Sequence, residues 1–209
     1  MKRIVLAIIF VCCTLALAAQ NGIRVKYQGA QPTISDFVSA LVDAHDNADD
    51  EEECCDEAFN AFSQAWNNHR KGLPQEEGVT LTVDQKNGYV AYEYRSEYES
   101  TEHVARTELC YWNEADKKHK LIACNVVCFT NGKYSAGQFD GLQFYRYDNA
   151  TKKLTSWDDT GVDVMYRSED DVMSSYALPR AGKDITVTLW YDSGKKLKTL
   201  KWNGRRFLP

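Results

Sequence analysis

Five sets of residues in this chain carry side chains able to do chemistry: cysteines, histidines, an acidic run, an Asp-Thr-Gly triplet and a group of aromatics. Cys110, Cys124 and Cys128 lie on two apolar runs that flank a polar, Lys-rich loop within Ala105 to Phe129. Read as a β-hairpin centred near Lys117, the stretch sets Cys110 across from Cys124. It then gathers Cys110, Trp112, Ile122, Cys124, Val126 and Cys128 on one face. That register predicts a Cys110–Cys124 disulfide, with Cys128 meeting Cys55 if a helix lies on the same face, provided the α-carbons come within about 7 Å. The alternative is reduced, buried thiols serving as small apolar residues. On either reading the face has the composition of a covered core, so the hairpin is scaffold and a functional site is expected on the loops around it.

The other chemistries have less to stand on. Cys124 and Cys128 are separated by three residues on a strand with no His pair following, and the vicinal Cys54 and Cys55 point in two directions on a helix, so a zinc site is not indicated. The run DAHDNADDEEE lacks the residue order of an EF-hand loop. No metal or cofactor is therefore expected. His45, His69, His103 and His119 fall in predicted helix or loop outside any motif, and G-x-S-x-G is absent. Asp159-Thr160-Gly161 matches the catalytic triplet of aspartic proteases, which share one proton between two carboxyl groups. Here Val162 follows it, Ser-Trp-Asp precedes it and no second triplet occurs, so ordinary turn chemistry accounts for it. No catalytic residue is assigned.

Aromatic residues are abundant, and a displayed row of them can stack on sugar rings while neighbouring polar groups take the hydroxyls. Most are assigned to a core. Trp157, Tyr166 and Tyr176, beside the long Asp158 to Gly182 excursion, are the candidate ligand-binding residues.

The elements that must position these residues follow an N-terminal address. Lys2 and Arg3, an apolar run from Ile4 to Leu17, and small residues at Ala16, Ala18 and Ala19 predict a signal peptide over residues 1–18, cleaved after Ala18 or Ala19. The run is short of a bilayer span, and no second one occurs, so no membrane span is expected in the mature chain. Neither Val11 nor Cys12 is the small residue that a lipid-accepting cysteine wants before it. Without the leader, 23 Lys and Arg face 30 Asp and Glu, a net charge near −7, which argues against a nucleic-acid partner. Charge is uneven. Asp43 to Glu57 holds nine acidic residues and no Lys or Arg, whereas Arg180 to Pro209 holds eight basic residues.

Thr33, with Asp36 three residues on, predicts the start of an amphipathic helix. A second helix, carrying Cys55, Phe59, Phe62 and Trp66 on one stripe, stops at Gly72, and a break is expected near Asp46-Asn47. The helical segment thus covers residues 33–71 of a single domain, 19–209. From Val79 the period becomes two, and Asn87-Gly88 predicts a hairpin pairing Val83 with Tyr92 and Leu81 with Tyr94. Further hairpins are expected at Asn131-Gly132, Asp148 to Thr151 and Asp192 to Gly194. Asn203-Gly204 brings Phe207 opposite Leu200, and one strand is expected at Val162 to Tyr166. The fold class is α+β, one or two N-terminal helices on an antiparallel β-meander of about eight to ten strands over residues 79–208.

The KNGYV turn (Lys86 to Val90), the CYWN strand end (Cys110 to Asn113) and the terminal KWNGRRF (Lys201 to Phe207) give the chain a resemblance to uncharacterised exported proteins of gut-dwelling bacteria. That resemblance implies a periplasmic or surface location and no activity. The functional expectation is an exported, non-catalytic binding protein with a protein or glycan partner. A glycan-binding module and a hydrolase with its site on the 158–182 loop are the alternatives.

Overall fold

The computed structural model describes residues 22–47, 57–135, 141–162 and 172–209. The leader, the Asp49 to Glu53 cluster, Cys55 and Tyr166 lie outside them.

After a two-residue strand at Ile23–Arg24 come two helices. Thr33 and Asp36 form the expected start of α1 (Ile34–Asp46), where Asp36 Oδ2 accepts from the Thr33 N–H and hydroxyl at 2.7 Å each. Helix α2 (Glu57–Lys71) ends at Gly72 as expected; φ there is +67°, and the amides of Gly72 and Leu73 bond back to His69 and Asn68. The helices are tied by Trp66 Nε1–Ser39 Oγ at 3.1 Å, Ser63 Oγ–Asp46 Oδ1 at 2.6 Å and Arg70 Nη1–Asp43 Oδ1 at 2.8 Å.

Twelve strands are described: β1 (Ile23–Arg24), β2 (Val79–Asp84), β3 (Tyr89–Tyr98), β4 (Thr101–Asn113), β5 (His119–Thr130), β6 (Lys133–Tyr134), β7 (Gly141–Asp148), β8 (Lys153–Ser156), β9 (Met173–Ala177), β10 (Ile185–Tyr191), β11 (Gly194–Trp202) and β12 (Phe207–Leu208). They make two antiparallel sheets rather than one meander. The larger runs β1-β8-β7-β5-β4-β3-β2 with β6 beside β5, and the smaller runs β12-β11-β10-β9.

Each face of the large sheet has its own core. Ile34, Phe37, Leu41, Phe62 and Trp66 of the helices pack with Val90, Leu109, Ile122, Cys124, Tyr145 and Tyr147 on one face. On the other face Cys110, Trp112, Leu121, Ala123, Leu142 and Phe144 pack with Ile185, Val187 and Phe207 of the small sheet. The result is three layers: helices, large sheet, small sheet.

The predicted register fails by one residue at the central hairpin. Cys110 pairs with Ala123 and Leu109 with Cys124. The loop is the cause: Glu114 N–H donates to His119 O at 3.1 Å, and Lys117 takes φ +60° to close the four residues between them. The hairpin is therefore centred between Asp116 and Lys117. A one-residue slip sends alternate side chains to opposite faces, so Cys110 and Cys124 face different cores. The predicted Cys110–Cys124 disulfide cannot form, and no disulfide joins the described cysteines. The Cys128–Cys55 pairing falls on Cys55, outside the described residues.

Two smaller corrections follow the same logic. Leu81 pairs with Tyr92 and Val83 with Val90, because the turn holds four residues, with Asp84 Oδ1 accepting from Asn87 N–H at 3.1 Å. This two-residue shift keeps the same faces. Phe207 pairs with Trp202, not Leu200. Of the strand expected at Val162 to Tyr166 only Val162 is described, and it stands outside any strand; residues 163–166 lie outside the described residues, and the excursion contributes β9, paired with β10.

Candidate functional site

Among the described residues, three constellations bring polar side chains together. The first lies at the β4–β5 turn. Arg146, on β7, grips Glu114 with two bonds, Nε to Oε1 at 2.7 Å and Nη2 to Oε2 at 2.6 Å. His119 Nδ1 lies 2.5 Å from Asp116 Oδ2 and 3.1 Å from Arg146 Nη2. Burial works to raise the Asp116 carboxyl. Bonds from His119 and from the N–H groups of Lys118 and His119 outweigh it and hold the group down at about 2. Trp157 lies over the Arg146 guanidinium, 4.6 Å from centroid to Cζ.

Glu114, Asp116 and His119 bring their ligand-capable atoms within 4.8 Å of one another. A cation would nevertheless meet a guanidinium already bidentate on Glu114, whose side chain is 5% exposed. The arrangement pins the β4–β5 turn to β7. The Trp157 ring caps Arg146 and packs with the small-sheet core, while its Nε1 donates to Asp159 O at 3.3 Å.

A second constellation is buried between the sheets. Glu108 on β4 accepts from the Tyr89 hydroxyl at 2.8 Å, from Asn125 Nδ2 at 3.2 Å and from the Leu178 N–H at 3.0 Å. Asn125 Nδ2 also donates to Tyr176 O at 2.9 Å. Burial, reinforced by the nearby Glu108 carboxyl, drives the Tyr89 phenol far above its ordinary range. Two polar residues of the large sheet thus hold the strand end of β9, and Tyr176, predicted as a ligand residue, is part of that interior. Trp157 and Tyr176 do not form a displayed aromatic row, and Tyr166 lies outside the described residues.

Other candidates have partners of their own. Burial pushes the Cys110 thiol well above its ordinary value, which disfavours the thiolate. His45 Nε2 bonds Asn60 Oδ1 at 2.6 Å and packs on Phe59, and His69 packs on Trp66. In the Asp-Thr-Gly triplet, Thr160 O accepts from Phe207 N–H at 2.7 Å, and Gly161, at φ +74°, passes so close that a Cβ would sit 2.3 Å from Phe207 O. Asp159 stays exposed, 4.0 Å from Arg205. A cavity of about 30 Å³ between α2 and β2–β3, lined by Gln64, Asn68, Gln75 and Tyr92, has room only for water.

The third constellation is the β10–β11 hairpin. All six residues from Gly194 to Thr199 are exposed, including alternate positions that in a sheet point to opposite faces. Leu197 is 64% exposed and Tyr191, at the turn, 41%. Lys195, Lys196, Lys198 and Lys201 lie on this one strand. On β10, Trp190 is held by Ser175 Oγ at 2.8 Å, stacks on Tyr134 with ring centroids 6.2 Å apart, and carries the Lys195 ammonium 5.4 Å from its centroid. Ile185, Val187 and Phe207 anchor the hairpin in the core and Leu189 and Leu200 pack against it, while β11 from Gly194 to Thr199 stays exposed. The basic C-terminal composition signals this element, but its exposure on both faces has no counterpart in the residue pattern. No helix among the described residues is long and apolar enough to cross a membrane. No family model, curated protein or solved structure matches the chain.

Proposed function

We infer that this is an exported, non-catalytic interaction protein and that the β10–β11 hairpin is its contact surface. The observation that carries the reading is the exposure of β11 from Gly194 to Thr199 on both faces. A strand normally buries at least one face, so a lysine-rich strand with Leu197 uncovered on an anchored base is suited to receive a partner. Export is supported by Lys2, Arg3, the Ile4 to Leu17 run and the small residues at Ala16 and Ala18. The non-catalytic reading is supported by the polar clusters: Arg146 saturates Glu114, and Glu108 is consumed in joining the sheets.

The test places a photo-crosslinking residue at Leu197 and, in a second variant, at Thr80, an exposed position on β2 at the far edge of the large sheet. In the envelope and medium of the producing cell, a discrete adduct is expected from position 197 and not from position 80. Equal labelling at both, or none at 197, would reject the hairpin as the contact surface. N-terminal sequencing of the mature protein is expected to begin at Ala19 or Gln20.

A further inference from the structure

We propose that the outer edge of β11 binds an extended acidic peptide by strand addition, enlarging the small sheet; this rests on the hairpin being the contact surface. Among the described strands β11 pairs with β10 from Gly194 to Leu200, and with β12 only at Lys201 and Trp202. From Gly194 to Leu200 no described strand lies on the side away from β10.

The register says which backbone groups are on offer. Tyr191 and Gly194 close a two-residue turn, and the hydrogen-bonded pairs of an antiparallel ladder alternate from that closing pair. Gly194, Lys196 and Lys198 therefore direct their N–H and C=O toward β10, and Lys195, Leu197 and Thr199 direct theirs outward. The N–H of Trp202 bonds Asp184 Oδ1 at 3.2 Å, on the β10 side, as the same parity requires. Three outward residues offer a ladder, and β12 ends it at Lys201, where Leu208 takes the next place. The slot suits a strand of about six residues.

Charge chooses the occupant. Lys195 and Lys201 stand on one face of β11 and Lys196 and Lys198 on the other, so an incoming strand meets ammonium groups on whichever face its acidic side chains lie. Lysines on an edge strand ordinarily prevent pairing. Here they act against a second copy of the chain, because β11 laid on β11 sets lysine near lysine. Against a strand bearing Glu or Asp they become attractive. Main-chain bonds supply affinity and the flanking lysines supply selection, the division of labour in strand-addition complexes. An anionic polymer without a peptide backbone would use the lysines and leave the outward N–H and C=O groups of Lys195, Leu197 and Thr199 unused.

The probe is a fluorescein-labelled heptapeptide alternating Glu and Val, titrated by polarisation. Its control alternates Glu and Pro, which keeps the charge, removes every second backbone donor and locks those residues at φ near −65°, out of extended-strand geometry in either register. Two protein variants accompany it: Leu197→Pro, which deletes one outward N–H and is tolerated on an edge, and the triple change Lys195→Glu, Lys196→Glu, Lys198→Glu. Saturable binding of the Glu-Val peptide is expected, weakened at least about tenfold, or roughly 1.4 kcal/mol, by the Pro control and by each variant. The Pro control needs no altered protein, so a misfolded variant does not obscure the answer. Equal binding of both peptides, or no binding of either, overturns strand addition. If the Leu197 crosslink persists in that event, the hairpin remains the contact surface and only the mode of binding is wrong.

Discussion

Leu178 donates its backbone N–H to Glu108 Oε2 at 3.0 Å, joining the residue that follows β9 of the small sheet to the middle of β4 in the large one. The same carboxyl group accepts from Tyr89 and Asn125, and Glu108 is only 4% exposed. Removing it strands three donors in an interior where each needs a partner. Glu108→Ala is expected to cost about 3–5 kcal/mol of unfolding free energy, with Glu108→Gln recovering a substantial part because one acceptor oxygen remains. Urea unfolding of both variants measures this. Equal losses would show that packing, and not the hydrogen bonds, sets the value of the site.

The β4–β5 turn gives stability a pH dependence of known sign. The Asp116 carboxyl is held at about 2 in the folded chain, against an ordinary value of 3.8. Its folded value is depressed, so its contribution is full above pH about 4 and is lost as pH falls toward 2. Asp84, held down chiefly by the Asn87 side chain and by Arg180, and Asp148, held down chiefly by the Ala150 N–H, act in the same direction. Melting temperature is expected to fall between pH 4 and 2, with a shallower fall in Asp116→Asn. An unchanged slope in that variant would contradict the assignment.

Because Cys110 and Cys124 face different cores, their substitutions should not communicate. Each change to Ala is expected to cost about 1–2 kcal/mol, and the double variant the sum of the two within about 0.5 kcal/mol. Were the two joined covalently, the second substitution would add far less than the first. Denaturant unfolding of the two single variants and the double variant decides between these.

Gly161 is the backbone hinge on which the C-terminal strand rests. Any β-carbon there meets Phe207 O, and φ is +74°. Gly161→Ala is expected to destabilise by about 2 kcal/mol or more. The amide of Phe207, which bonds Thr160 O, should lose exchange protection with it. A silent substitution would reopen the triplet to other roles.

Local chemistry was legible in the residues wherever a short stretch is self-sufficient. Thr33 with Asp36, the helix end at Asn47 and the stop at Gly72 are each determined within five residues, and α+β follows from the change of period at Val79. Register was less legible, because it depends on how many residues a loop holds. Four between Glu114 and His119 separated Cys110 from Cys124. Strand β9 escaped notice because Met-Ser-Ser-Tyr-Ala has no apolar alternation and is held by bonds from Glu108 and Asn125, distant in sequence. Trp157 was singled out as a ligand residue for its type and place. Its partner Arg146 is reached only through folding, and so is the Glu114 pair across 32 residues. The lysines of β11 were visible as a basic C-terminus; that both faces of the strand stay uncovered depends on where the small sheet sits on the large one.

The most direct measurement is residue-resolved amide exchange along β11 with and without the Glu-Val heptapeptide. Strand addition predicts new protection at Lys195, Leu197 and Thr199, with Lys196 and Lys198, already turned toward β10, unchanged. Protection spread evenly along the strand, or none at the three outward amides while the peptide is bound, would contradict it.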